Sequence, residues 1–201
     1  MELREAIRRR RMVRSFRPDL LDPGLVRELL EDSLTAPSAG NTRGVAWVLL
    51  EGPETATYWE RATTEDWRRD SARFPGLSRA PVVALSLCSP AEYVARYGEA
   101  DKAASGLGAG GEAAWPVPYW FGDAAFTVQL LLLGATAAEL GAAFLGNFRR
   151  EDALLEALAV PVGWRLFGAV VLGRPDDEDR RSASLERPTS PGAGVVHWSR
   201  W

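Results

Sequence analysis

Cysteine and histidine are nearly missing from this sequence. Its 201 residues contain one cysteine, Cys88, and one histidine, His197. A single cysteine cannot form a disulfide within the chain, which is compatible with a reducing cytosol. The pair cannot supply the usual ligands of a zinc site, and a Ser-His-Asp triad would depend on a histidine near the C-terminus. We therefore expect any chemistry to use a bound cofactor or backbone groups.

The sequence also lacks an overall excess of positive charge. Lysine and arginine together number 24 against 27 aspartates and glutamates, so the net charge is −3, whereas a nucleic-acid-binding domain usually carries a basic surplus. Against that background, residues 8–17 concentrate six arginines. Such a run could bind nucleic acid, an anionic membrane, a nuclear import receptor or one small phosphorylated ligand. The negative total favours a local anion site over a nucleic-acid surface.

Long apolar runs are scarce as well. The N-terminal segment MELREAIRRRR is charged and has no apolar stretch typical of a signal peptide. The most apolar segment, residues 124–144, is interrupted by Gln129 and Glu139, which favours a buried core helix over a membrane span. We therefore expect a soluble, cytoplasmic protein that binds neither membrane nor nucleic acid.

The hydrophobic pattern predicts one domain over residues 1–201, in which helices cover a small sheet. Asp22 is expected to cap the second helix, with Pro23 at its first position. The order αα-β-α-β-α-α-α-β is typical of an α+β domain or a three-layer α/β domain. Strands are predicted at residues 45–50, 79–88 and 163–173, and helices at residues 2–10, 23–36, 55–71, 89–98, 121–141 and 149–161.

Two short segments carry groups that could bind a ligand. Arg10, Arg11 and Arg14 could converge at the end of the first helix and offer the bidentate donors that suit a phosphate; the alternative is a solvated basic helix end. APSAGN, residues 36–41, is a turn of small residues whose backbone and amide groups could read a heterocyclic edge. GLGAGG, residues 106–111, neither follows a strand nor opens a helix, so it is interpreted as a flexible loop.

Five segments, in order, resemble the FMN-dependent nitroreductase superfamily. RRMVRSF (10–16) and APSAGN (36–41) resemble its N-terminal signature, and GDAAFTVQLLLLGATAAELGAAFLGNF (122–148) resembles its central helix and the flavin-side loop after it. AVVLGRP (169–175) and VVHW (195–198) resemble its last core strand and its tail. The resemblance implies an α+β, three-layer α/β/α sandwich with a mostly antiparallel central sheet. It also implies an intertwined homodimer in which the tail, residues 176–201, packs on the partner subunit.

The resemblance also implies where FMN binds. The arginines match positions that hold the phosphate, ribityl chain and pyrimidine ring, the 36–41 turn matches contacts supplied by the neighbouring subunit, and residues 146–147 match the segment whose backbone N–H approaches flavin N5. One tail arginine, at 181 or 187, would complete the phosphate site. The implied cofactor-binding set is Arg10, Arg11, Met12, Arg14, Pro37, Ser38, Ala39, Asn41, Gly146, Asn147, Arg181 and Arg187.

Two departures from the family pattern affect the expected site. Met12 stands where the family usually has Ser or Thr, and Arg43 lies in a segment that commonly reads Gln-Pro-Trp, so it could select an anionic substrate. Trp115, Tyr119 and Trp120 are expected to form a substrate wall on which flat acceptors stack; ordinary core or dimer packing is the alternative.

The activity implied by the resemblance is a flavin-based reduction. NADH or NADPH would reduce FMN at N5, and a nitroaromatic, a quinone or a related flat acceptor would then be reduced, with no side-chain acid or base required. Alternatives on the same scaffold are a biosynthetic dehydrogenase, a flavin-destructive enzyme, or a flavin or deazaflavin carrier without turnover.

Overall fold

The computed structural model describes residues 1–70, 74–147, 151–180, 182 and 196–200. At its centre lies a four-stranded sheet, and every neighbouring pair of strands is antiparallel. The spatial order is β1-β2-β4-β3, so the last strand among the described residues lies inside the sheet. The strands are β1 (Val45–Glu51), β2 (Val82–Cys88), β3 (Gly141–Leu145) and β4 (Arg165–Gly173).

Helices cover both faces of this sheet. Alternate residues of β2 enter different clusters: Val83 and Leu85 pack with Trp59 and Leu154 on one face, whereas Val82 and Ala84 pack on the other. All seven residues of β2 are buried, as expected for a strand covered on both sides. The predicted three-layer α+β arrangement is confirmed. The helices are α1 (Leu3–Arg9), α2 (Pro23–Ser33), α3 (Thr55–Ala62), α4 (Glu65–Asp70), α5 (Pro90–Gly98), α6 (Tyr119–Ala137) and α7 (Glu151–Ala157).

The start of α2 follows its sequence signals. Asp22 accepts a hydrogen bond from the Gly24 backbone N–H at 3.0 Å, and Pro23 occupies the first helical position, which confirms the predicted cap. The helix ends at Ser33 rather than at residue 36. Pro37 explains the earlier end, because a proline disfavours the helical conformation of the residue before it.

The single helix predicted over residues 55–71 is wrong, because the structure divides it into α3 and α4. Thr63 adopts an extended conformation between them. The Thr64 hydroxyl accepts a hydrogen bond from the Trp67 N–H at 3.1 Å, which is the contact of a helix N-cap. Threonine competes with the helix backbone in this way, so the break has a local chemical cause.

The expectation that the central helix runs to about residue 141 and continues into a loop is also wrong. α6 ends at Ala137, Glu139 has a positive φ of 59°, and β3 begins at Gly141. β3 pairs with β4 in the register Gly141 to Gly173 and Leu145 to Ala169. This strand adds a fourth member to the three that the sequence predicted.

Within the described ranges, α6 is the one helix long and apolar enough to cross a membrane. Its buried residues include Val128, Leu131 and Ala135, which belong to the cluster formed with α2 and the sheet. The opposite side exposes Phe126 and Leu130. α6 is therefore the main helix of the core, as its polar interruptions predicted.

Candidate functional site

The arginine segment runs along the free edge of β3. Met12 forms a parallel bridge with Ala142, and the Val13 N–H donates to the Ala142 carbonyl at 2.9 Å. Val13 and Phe16 are buried, while Arg11 is exposed and Arg14 is partly buried. The apolar side chains therefore fix the segment against the sheet, and the arginine side chains extend away from the core.

A cavity of about 750 Å³ opens beside this segment. It lies near the C-terminal end of α6, where Thr136, Glu139 and Leu140 form its far wall. Its volume is in the range of small-molecule sites, and its lining is dominated by arginine. We call it the basic cavity; its lining residues are Arg8, Arg9, Arg10, Arg11, Met12, Val13, Arg14, Thr136, Glu139, Leu140, Pro175 and Ser182.

Two of the predicted arginines have defined partners. The Arg11 guanidinium forms an ion pair with Asp179. Arg14 lies with its guanidinium carbon 5.0 Å from the Phe74 ring centroid and donates to the Met12 carbonyl at 3.3 Å. The structure thus places both at the basic cavity but gives them different surroundings.

A second cavity of about 500 Å³ contains the predicted residues Gly146 and Asn147. The rings of Trp59 and Trp67 lie parallel in its wall, 6.0 Å apart between centroids and 5° apart in plane. We call this the aromatic cavity. Its lining residues are Tyr58, Trp59, Ala62, Thr63, Thr64, Trp67, Leu77, Phe144, Leu145, Gly146 and Asn147.

The two cavities meet at Met12 and Phe144. Met12 lines the basic cavity, Phe144 lines the aromatic cavity, and the Phe144 N–H donates to the Met12 sulfur at 3.4 Å. The sulfur thus accepts a backbone hydrogen bond at the position where the family usually has Ser or Thr. This contact joins the linings of the two cavities.

Two buried hydrogen-bond donors in the aromatic cavity have no partner among the described residues. They are the indole Nε1 of Trp59 and the amide Nδ2 of Asn147. A buried donor without a partner costs free energy, on the order of 1–3 kcal/mol, so an unpaired pair in one cavity indicates a ligand with acceptor atoms. Sequence reasoning missed Trp59 and Trp67, because they stack across the break between α3 and α4 that the sequence prediction did not include.

The 36–41 turn is held by a buried carboxylate on α6. Asp123 is 4% exposed and accepts hydrogen bonds from the Ala39 N–H and the Tyr93 hydroxyl, both at 2.8 Å. Burial, together with the hydrogen bond to Asp123, raises the pKa of Tyr93 far above its ordinary value, so the hydroxyl keeps its proton. On the other side of the turn, Arg96 donates to the Gly40 carbonyl at 2.9 Å.

Within this turn the predicted side chains contact one another. The Ser38 hydroxyl accepts from the Arg43 N–H at 3.0 Å, and the Asn41 side-chain oxygen accepts from Arg43 Nε at 3.3 Å. Gly40, Asn41 and Arg43 all have positive φ, which gives the loop its tight curvature. The result is a compact exposed loop that presents Pro37, Ser38 and Asn41.

The turn and the basic cavity lie at opposite ends of α6. The turn contacts Asp123, whereas the cavity is bounded by Thr136. These two residues are about 20 Å apart along the helix, because an α-helix rises about 1.5 Å per residue. One chain therefore does not bring its own Ser38 and Asn41 to its own arginines.

The predicted aromatic wall divides into buried and exposed members. Trp115 and Trp120 are buried and pack edge-on against Tyr93. Tyr119 is 46% exposed and contacts Trp115 at 6.2 Å between ring centroids. Tyr119 is thus the member of the three that offers an accessible ring face, with the two tryptophans behind it.

Two predicted phosphate-binding residues, Arg181 and Arg187, lie outside the described residues, so their contact with the phosphate stays a prediction. Trp198 is 87% exposed in the single chain.

Cys88 is fully buried, and burial raises the pKa of its thiol to about 12. The thiol is therefore protonated near neutral pH and is not poised as a nucleophile.

The fold is that of known nitroreductase structures. A nitroreductase family protein from Clostridium novyi NT superposes with a TM-score of 0.67 at 20% identity, over 88% of this chain and 87% of that one. Nitroreductase CinD from Lactococcus lactis, in complex with nicotinic acid, gives 0.70 at 15% identity, over 94% and 98%. A Desulfovibrio desulfuricans protein solved in complex with FMN gives 0.61 at 23% identity, over 92% and 95%.

The sequence comparison is more specific than the fold. The model of the nitroreductase family matches residues 7–174. A curated relative from Archaeoglobus fulgidus, "Putative NADH dehydrogenase/NAD(P)H nitroreductase", is 26% identical over 172 residues, which cover 84% of this chain and 83% of that protein. The chain belongs to the nitroreductase family, and it is by that membership an oxidoreductase.

Proposed function

We propose that this protein is an FMN-dependent oxidoreductase that uses NADH or NADPH to reduce nitroaromatic, quinone or related flat acceptors. The observation that carries the proposal is the pair of cavities that meet at Met12 and Phe144, one basic and one aromatic. FMN has the same two parts, a phosphate at one end and a flat ring at the other. Binding of FMN by the structural relative from Desulfovibrio desulfuricans supports the assignment.

The basic cavity fits the phosphate. Arg10 and Arg14 line it, and within the described residues neither guanidinium forms an ion pair. Guanidinium groups bind phosphate through parallel N–H donors and keep their charge at any physiological pH. These two residues would hold the phosphate, with a tail arginine, Arg181 or Arg187, completing the site.

The aromatic cavity fits the ring. The unpaired donors of Trp59 and Asn147 match the carbonyl oxygens and ring nitrogens on the polar edge of a flavin, while Trp67 and Phe144 offer apolar surface. When bound there, FMN would supply the redox chemistry, which is hydride transfer from NAD(P)H and electron transfer to the second substrate. The chain would contribute position and hydrogen-bond donors, with Gly146 and Asn147 at the ring.

The second half of the site would come from a partner subunit. The turn that carries Ser38 and Asn41 is held at Asp123, about 20 Å along α6 from Thr136 at the basic cavity, so a homodimer is the arrangement that would bring these residues to a flavin. α1 packs on α6, and the two helices expose large apolar side chains that a partner would cover. These side chains are Leu3, Ile7, Phe126 and Leu130.

The acceptor would bind beside the exposed loop. Tyr119 offers an accessible ring for stacking of flat substrates, and it packs against Trp115, which in turn contacts Trp120. Arg43 is exposed in the tight turn and carries a charge toward solvent, which favours acceptors with an anionic substituent. We place the reaction in the cytoplasm, where NAD(P)H is generated and a lone cysteine stays reduced.

The absorption spectrum of the purified protein, followed by anaerobic addition of NADPH or NADH, tests this function. We expect a yellow protein whose flavin bands bleach on addition of the nucleotide and return when a nitroaromatic or a quinone is added. A flavin that binds but is not reduced would instead indicate a carrier. A colourless protein that does not take up added FMN would overturn the proposal.

A further inference from the structure

A single buried carboxylate holds the arginine segment from the C-terminal side of the chain. The Asp179 side chain is 1% exposed. One of its oxygens accepts hydrogen bonds from the backbone N–H groups of Arg14 at 2.7 Å and Ser15 at 3.2 Å, and the other pairs with the Arg11 guanidinium. These partners, Arg11, Arg14 and Ser15, belong to the segment that runs along the basic cavity.

Hydrogen bonds also hold the residues that precede Asp179 against the arginine segment and Arg79. The Arg17 N–H donates to the Arg174 carbonyl at 2.9 Å, and the Asp176 N–H donates to the Ser15 carbonyl at 3.2 Å. Arg79 then donates to the carboxylates of Asp176 at 2.6 Å and Glu178 at 3.1 Å, and to the Ser15 hydroxyl at 2.9 Å. Residues 174–179 thus form a strap across the arginine segment.

The carboxylates of the strap pair with some arginines and not with others. Arg11 is neutralised by Asp179, and Arg79 is shared between Asp176 and Glu178. Within the described part of the chain, Arg10 and Arg14 have no carboxylate partner, although they lie on either side of Arg11. The acidic residues therefore select which arginines stay available to an outside anion.

We propose that Asp179 is a positioning residue for the phosphate of the bound cofactor. It fixes the backbone at Arg14 and Ser15 and takes up Arg11, so that Arg10 and Arg14 face the phosphate. The proposal rests on FMN binding as proposed above, and it deepens that function by separating phosphate-binding arginines from a structural one. Hydrogen bonds to an ionised carboxylate are the stronger kind, which suits a group that must hold a basic segment against its own repulsion.

The test compares FMN with riboflavin, which has the same ring and ribityl chain but no phosphate. Dissociation constants for both would be measured by fluorescence titration of the flavin-free protein. The variants are Asp179→Ala, which removes every contact, and Asp179→Asn, which keeps an oxygen for the two N–H groups but loses the charge. Asp177→Asn is the matched control, because Asp177 is exposed, lies two residues away and makes the same change in net charge.

We expect Asp179→Ala to weaken FMN binding by about tenfold or more, as for loss of a charged hydrogen bond, with riboflavin binding changed by less than about twofold. Asp179→Asn should fall between Asp179→Ala and the wild type, and Asp177→Asn should match the wild type. If Asp179→Ala does not fold, the ratio of the FMN and riboflavin dissociation constants of Asp179→Asn distinguishes a role at the phosphate from a purely structural role.

Four results would overturn the inference. Equal weakening of FMN and riboflavin would assign Asp179 a purely structural role. Tighter binding of FMN by the variants would mean that the carboxylate only repels phosphate. A wild-type protein that binds riboflavin as tightly as FMN would remove the phosphate site itself, and one that binds neither would remove the proposed function together with this inference.

Discussion

At the scale of single residues, the carboxylate of Asp123 depends on two neutral donors. It is buried, and its hydrogen bonds come from the Ala39 N–H and the Tyr93 hydroxyl. A buried charged group that loses a hydrogen-bond partner is left with an uncompensated cost of desolvation. The position of the 36–41 turn and the stability of the chain are thus coupled through one side chain.

Replacement of Tyr93 by phenylalanine tests this coupling. Tyr93→Phe keeps the buried ring but removes the O–H donor, so we expect the free energy of unfolding to fall by about 1–3 kcal/mol. The measurement is urea denaturation at neutral pH.

Tyr97→Phe is the matched control. Tyr97 lies one turn further along α5, and its hydroxyl forms no hydrogen bond within the described residues, so its loss should change stability by less than about 0.5 kcal/mol. Equal effects of the two substitutions would show that the hydrogen bond to Asp123 is not what stabilises the turn.

Residue types and short spacings predicted much of the candidate site, but not its long-range contacts. The arginines and the APSAGN turn are visible as local patterns. Asp123 and Asp179 are not, because their partners lie 84 and 165 positions away. Before the fold is known, each is one acidic residue among 27.

At the scale of secondary-structure elements, the contact between β3 and β4 positions the aromatic cavity. A Cβ atom built at Gly168 of β4 would lie 2.6 Å from the Phe144 ring and 2.7 Å from the Leu145 carbonyl oxygen. Both contacts are closer than real Cβ atoms approach. β3 lies this close to β4 because residue 168 has no side chain. Gly146 and Asn147 come directly after β3 in the chain, so the same packing also fixes their position.

Gly168→Ala should therefore disturb both the sheet and the cavity. We expect the free energy of unfolding to fall by about 1–3 kcal/mol, as for an overpacked core, and FMN binding to weaken because Phe144 and Leu145 must move. Thermal unfolding and flavin titration are the measurements.

Gly98→Ala serves as the comparison. Gly98 is the exposed last residue of α5, a Cβ there meets no atom within 4 Å, and the substitution should leave stability unchanged or raise it by up to about 1 kcal/mol. A Gly168→Ala protein as stable and as flavin-competent as Gly98→Ala would contradict the role given to this close approach.

The elements that the sequence predicted well are those with strong local signals. β2 and β4 are rich in valine and leucine, and α2 begins at an Asp-Pro pair. β3 reads GAAFL, without a β-branched residue, and it follows an apolar helix with only Glu139 as a marker, so its pattern could not be separated from the helix. It is a strand because β4 offers it a partner edge, which is tertiary information.

At the scale of the whole molecule, the apolar side chains on α1 and α6 predict a homodimer. Phe126 is 54% exposed at the centre of α6, and Phe126→Glu should place a charge in the interface. We expect light scattering to show a dimer for the wild type and a shift toward monomer for the variant, with weaker FMN binding because the partner's turn is lost.

Val162→Glu controls for the added charge, since Val162 is fully exposed in the turn before β4; this variant should remain a dimer with normal FMN binding. A wild-type monomer that retains FMN, or a Phe126→Glu protein that stays dimeric, would refute this arrangement.

The position of β4 between β2 and β3 has a consequence for how the protein is made. A growing chain on the ribosome can pair β1 with β2 early, but β3 has no neighbouring strand to pair with until residues 165–173 have been synthesised. Until then α6 and β3 expose apolar surface that invites aggregation or chaperone binding. The 174–179 strap follows β4 directly, so the basic cavity forms only after β4 has been synthesised. We therefore expect a truncated protein that ends before β4 to be inactive.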